Sequence, residues 1–112
     1  MEQPPFCGMD WYEHYAARHS GEGAEGRLVS QYSFTGKWTA WEMHPAGDEV
    51  VICTAGSMVL VQELEDATVV QTPICAGQYA INPQGVWHTA DVAGNATAIF
   101  ITAGEGTQHR PR

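Results

Sequence analysis

From Arg27 onward the chain is cut into short runs by turn-forming residues. The breaks fall at Gly36, Pro45-Ala46-Gly47, Ala55-Gly56, Glu65-Asp66, Pro73, Gly77, Pro83-Gln84-Gly85 and Gly94-Asn95. Glycine and proline punctuate strands for opposite reasons, one by allowing positive φ and the other by fixing φ and removing a donor. The runs between the breaks are rich in Val, Ile, Thr and aromatics, the residues that suit a pleated surface. They predict strands over 28–34, 37–43, 49–54, 57–64, 67–71, 77–81, 87–92 and 96–102. Eight short strands with tight turns leave an all-β barrel or sandwich as the fold class.

The remaining residues divide the chain further. Residues 1–26 read as an N-terminal extension. Asp10 would cap a short helix there, with Glu13 three residues on completing a capping box. Trp11, Tyr12, Tyr15, Ala16 and His19 would form its apolar stripe, and the helix would stop at Ser20-Gly21. Residues 27–104 make up the barrel. Residues 105–112 are polar and read as a loose tail, with His109 solvated between Gln108 and Arg110.

At 112 residues the chain suits one core. Five basic against thirteen acidic side chains give a net charge of −8. That balance argues against nucleic acid, which calls for a basic patch, and against anionic lipid. No run approaches the roughly 20 apolar residues of a membrane span, and the N-terminus lacks the features of a secretory signal. Cys7, Cys53 and Cys75 lie far apart. They read as buried or free thiols of a reducing compartment, so a cytoplasmic location is expected.

Two stretches carry the chemistry. In the first, Gly36 to Gly56, Glu42 and His44 are two apart and share a face of an extended strand. Pro45-Ala46-Gly47 turns the chain, and the returning strand brings Asp48 or Glu49 alongside. An imidazole and carboxylates converging in this way suit a divalent cation. In the second, Gly77 to Val92, the turn Pro83-Gln84-Gly85 leads into a strand carrying His88. With His88 inward, Ala90 and Val92 share its face, while Trp87 and Thr89 take the other.

These two stretches resemble the paired motifs of the cupin superfamily. The first family motif is Gly, five residues, His-x-His, three or four residues, Glu, six residues, Gly. Gly36, Glu42-Met43-His44, Glu49 and Gly56 follow it, with Glu42 in place of the first histidine. The second is Gly, five residues, Pro-x-Gly, two residues, His, three residues, Asn. Gly77, Pro83, Gly85 and His88 match it, and Val92 stands where the asparagine would be. The two motifs and their spacer cover about half the chain, residues 36–92.

The resemblance implies a jelly-roll barrel, or double-stranded β-helix, with a metal at its centre. Carried over position by position, the ligands would be Glu42, His44, Glu49 and His88. Asp48 competes with Glu49, and the six-residue gap to Gly56 favours Glu49. The metal would be Mn²⁺, Fe²⁺, Zn²⁺ or Ni²⁺, and two carboxylates favour Mn²⁺ or Fe²⁺. Trp38 and Ala40 share the face of Glu42 and His44 and would line the cavity. Tyr79 and Ile81, or else Gln78 and Ala80, would do so from the second motif. Trp41, Met43 and Trp87, on the opposite face, would meet the N-terminal helix or a second subunit of a two-fold homodimer. The implied function is that of a metal-dependent enzyme of the dioxygenase, isomerase or decarboxylase type, acting on a small oxygen-bearing substrate such as a sugar or organic acid. The alternative is a non-catalytic binding or sensor barrel.

Overall fold

A computed structural model describes residues 26–112, and the expected N-terminal helix lies outside the described residues. The described part contains eight strands and no helix: β1 Leu28–Phe34, β2 Ala40–Met43, β3 Glu49–Glu63, β4 Val69–Cys75, β5 Tyr79–Asn82, β6 Trp87–Asp91, β7 Ala96–Thr102 and β8 Gln108–Pro111. All pairings are antiparallel. The ladder runs β1-β7-β3-β6-β2-β8, with β4 and β5 also paired to β3. The fold is therefore a curled all-β sheet that closes around one interior.

β3 organises the sheet. Two strands are expected over 49–54 and 57–64, with a break at Ala55-Gly56; the structure has one strand of 15 residues. Its first part, from Glu49, pairs with β5 and β7, and its second part, from Ser57, pairs with β4 and β6. The register shifts between Cys53 and Ala55, a bulge that bends the strand from one half of the barrel into the other. Gly56 continues the bend at φ +70°, and a Cβ there would lie 2.0 Å from the Asn95 carbonyl oxygen. The glycine thus kinks the strand without interrupting it.

Pro73 of β4 likewise sits inside a strand, opposite Val59 of β3. β4 is mostly exposed, and an edge position tolerates a missing N–H. The core is built from inward residues of several strands: Val51, Cys53, Met58, Leu60, Ile74, Ala90, Val92, Ala96, Ala98 and Phe100. Cys53 is a small core residue, free and fully buried, and burial pushes its thiol pKa up.

The C-terminal segment departs most from expectation. In place of a loose tail, Gln108–Pro111 adds strand β8 to the edge of β2, pairing Trp41 with Arg110 and Glu42 with His109. The Arg110 guanidinium lies 5.0 Å from the Trp41 ring and 4.8 Å from the Trp87 ring. It also meets Glu63 at 2.7 Å. Arg112 pairs with Asp91 at 2.5 Å. Cation–π contact and ion pairing together hold a segment that looked too polar to order. The face carrying Trp41 and Trp87 is thus covered by the chain's own C-terminus.

Candidate metal centre

Three hydrogen bonds lock the two motif turns together. Gly85 N–H donates to the His44 carbonyl at 3.1 Å. The Gln84 side-chain amide donates to the Pro45 carbonyl at 2.7 Å, and Gln84 N–H donates to Asp48 Oδ1 at 2.8 Å. Asp48 is exposed and engaged in this clasp, which leaves Glu49, on the opposite face of the strand, as the inward carboxylate. Gly85 takes φ +77°, which allows the second turn to close tightly enough to reach the first.

The turns deliver their side chains to one place. Glu42 and His88 are direct cross-strand partners between β2 and β6. Glu42, His44 and His88 each present a donor atom within 4.8 Å of the others. His44 Nε2 lies 3.1 Å from Glu49 Oε2, and His88 Nε2 lies 3.2 Å from Glu49 Oε1. His88 Nε2 is 3.8 Å from Glu42 Oε1, an ion-pair distance too long for a hydrogen bond. His44, Glu49 and His88 are buried, and Glu42 is partly open.

The electrostatics follow from this crowding. Burial disfavours charge on His88, but the neighbouring Glu42 and Glu49 carboxylates outweigh it and push its pKa up to about 9. Burial would likewise raise Glu49, yet the His44 and His88 imidazoles hold it well below the usual carboxylate range. His88 also holds Glu42 below that range.

Glu49 is braced from both sides. Its cross-strand partners are Asn82 on β5 and Thr102 on β7. Asn82 Nδ2 donates to Oε1 at 3.0 Å and Thr102 Oγ1 donates to Oε2 at 2.7 Å. Gln62 in turn donates to Asn82 Oδ1 at 2.9 Å, which fixes the amide's orientation. The C-terminal segment braces His44 and Glu42: His44 Nδ1 meets Thr107 Oγ1 at 2.8 Å, and His109 Nε2 meets Glu42 Oε2 at 3.1 Å. His109, expected to be solvated, is exposed but engaged.

The donor set fits a divalent ion. His44 Nε2 and both ring nitrogens of His88 are buried without a hydrogen-bond partner. Buried polar atoms are rarely left in this state. The Nε2 atoms face carboxylate oxygens but lack hydrogen-bonding geometry. Ligands bound at about 2.1 Å in right-angled positions sit roughly 3 Å apart, close to the separations around Glu49.

A cavity of about 400 Å³ opens onto this cluster. Glu42, His44, Glu49, Thr102 and Thr107 form its polar side; Leu28, Tyr32, Phe34, Trp38 and Phe100 form its apolar wall. The wall is one run of touching rings: Phe34 to Trp38 at 5.4 Å, Trp38 to Phe100 at 5.8 Å, and Trp38 to His88 at 6.3 Å between centroids. Trp38 is where the sequence placed it. Ala40 lines only the adjoining shallow groove. Tyr79 and Ile81 do not line the cavity: they are 66% and 46% exposed, on the outer face of β5. The strand has the opposite phase, with Ala80 against the core and Asn82 buried.

Sequence reasoning missed Asn82, Thr102, Thr107 and the β1 wall. A signal existed for the wall, since Leu28, Ser30, Tyr32 and Phe34 alternate along β1. A two-residue period puts them on one face.

No protein-family model matches the chain, and no curated protein matches it in sequence. Solved structures do. Oxalate oxidase aligns with a TM-score of 0.68 over 82% of this chain and 50% of its own, at 17% identity. A cupin-2 domain protein from Shewanella frigidimarina aligns at 0.56 over 77% of this chain and 71% of its own, at 20% identity. The chain has the cupin fold. Hydroquinone 1,2-dioxygenase from Sphingomonas, solved with 4-hydroxybenzoate, shares it at 0.58 over 68% of this chain and 58% of its own, at 14% identity. The chain spans half the length of the oxalate oxidase it matches. Among its described residues no helix is long and apolar enough to cross a membrane.

Proposed function

We propose that this cupin is a metal-dependent enzyme whose ion, Mn²⁺ or Fe²⁺, is held by His44, His88 and Glu42, with Glu49 as the fourth ligand. The observation that carries the reading is the set of unpartnered buried imidazole nitrogens facing carboxylate oxygens. With the imidazoles neutral and no cation present, buried polar groups in that state are costly; a metal ion or a bound proton relieves them. When bound, the ion supplies Lewis acidity or redox chemistry at a substrate oxygen.

The chain's own residues do the rest. Glu49 is tied by two hydrogen bonds and stays a fixed ligand. Glu42 is the more open carboxylate, is held ionised by His88, and borders the cavity. It is placed to accept a proton from a substrate hydroxyl when it is not itself coordinating. The cavity wall receives the organic part of a small oxygen-bearing substrate. A flat ring carrying oxygen suits that wall better than a sugar. The Thr102 and Thr107 hydroxyl hydrogens are already donated to Glu49 and Gly104, so these hydroxyls offer a sugar acceptors and no donors.

Elemental analysis of the purified protein tests the site: about one divalent ion per chain is expected for a single four-ligand centre. His44→Ala and His88→Ala should each lower that content sharply. Metal content unchanged in both variants would refute the site. A non-catalytic binding barrel would keep the ion and bind the ring without turnover.

A further inference from the structure

We propose that Thr107 is a positioning residue for the metal centre: it fixes His44 in the Nδ1–H tautomer and so turns the Nε2 lone pair toward the ion. This rests on the metal-centre reading above and extends it to a segment outside both sequence motifs.

The Thr107 hydroxyl has one, and it is donated to the Gly104 carbonyl at 2.8 Å, which can only accept. The contact between Thr107 Oγ1 and His44 Nδ1, also 2.8 Å, must therefore run the other way, with the imidazole donating. The neutral imidazole, the form that binds metal, carries one N–H, so in that form Nε2 is left with a bare lone pair. That lone pair faces Glu49 Oε2 at 3.1 Å, an oxygen that already accepts from Thr102. Two electron-rich atoms at that distance repel unless a cation lies between or beside them. Thr107 thereby leaves Nε2 of the neutral ring free to bind an ion.

The threonine is held for this task. Its backbone N–H closes a turn onto the Gly104 carbonyl at 3.2 Å. β8 follows at once and is paired along β2, the strand that leads into His44. Thr107 also borders the cavity. Outer-shell partners of metal-bound imidazoles set tautomer and ring orientation, and their loss typically lowers metal affinity 10- to 100-fold.

The test pairs two readouts on wild type, Thr107→Val and Thr107→Ser. Long-range ¹H–¹⁵N spectra of the metal-free protein above pH 8 identify which His44 nitrogen carries hydrogen. Titration with Zn²⁺ gives affinity. Wild type should show Nδ1–H. Thr107→Val should shift hydrogen to Nε2, where it can bond Glu49, and should weaken Zn²⁺ binding 10- to 100-fold. Thr107→Ser should restore both. Nε2–H in wild type, or Thr107→Val binding Zn²⁺ within twofold of wild type, would overturn the proposal. If wild type binds no ion, the metal-centre reading fails, and the wild-type tautomer alone then decides the role of Thr107.

Discussion

Raising the pH should tighten metal binding steeply, because His88 must give up a proton to become a ligand. His88 is fully buried between two carboxylates and both its nitrogens lack hydrogen-bond partners. Those carboxylates push its pKa up to about 9, so His88 of the metal-free protein should hold its extra proton through the neutral range. Only the neutral imidazole binds metal, and each ion therefore expels about one proton from this residue. Below the folded pKa, the apparent affinity should rise about tenfold per pH unit, or roughly 100-fold from pH 6.5 to 8.5. The stability of the metal-free protein should move in the opposite direction. The folded pKa lies above the ordinary value of 6.5. The stabilisation, on the order of 3 kcal/mol, is therefore complete below pH 6.5 and lost as pH rises through about 9. Calorimetric titration with Mn²⁺ at three pH values, in buffers of different ionisation enthalpy, reads both the affinity and the proton release. An affinity flat within threefold across that range, with no proton released, would refute the reasoning.

Two further predictions concern the supports of the site. Asn82→Ala removes a donor to Glu49 and an acceptor for Gln62 in a buried setting; denaturant melts should show a loss of about 1–3 kcal/mol, and wild-type stability would show that the network is not needed. Gly56→Ala places a Cβ 2.0 Å from the Asn95 carbonyl oxygen at φ +70°; the left-handed conformation alone costs about 1–2 kcal/mol, so the melting temperature should fall by at least about 4 °C. A melting temperature within a degree of wild type would show that the bend relaxes freely.

Much of the site was legible because strand periodicity is local. Glu42 and His44 share a face by their spacing alone, and proline and glycine on either side marked the turns that bring them beside Glu49 and His88. The phase of β5 was not legible. Tyr79, Ala80, Ile81 and Asn82 include apolar residues on both faces, so alternation gave no preference. Pairing with β3 settles it, because Asn82 lies directly across from Glu49. The continuity of β3 was hidden as well. A glycine that breaks one strand kinks another, and what decides is whether neighbouring strands bond across it, as β7 does up to Gly56.

The amino-acid sequence by itself determined the strand-and-turn character of this chain and the shared face of Glu42 and His44, since both depend on side-chain alternation and backbone preference over a few residues; Glu49 in place of Asp48, and His88, came from the resemblance to the cupin motifs. Only the tertiary structure decided what surrounds those four. Thr107 lies 63 residues from His44 and His109 lies 67 from Glu42; Thr102 lies 53 from Glu49. A hydroxyl or an imidazole in a polar, glycine-rich tail carries no local mark of its partner. Its role appears when sheet closure lays β8 along β2 and brings distant atoms to hydrogen-bonding distance.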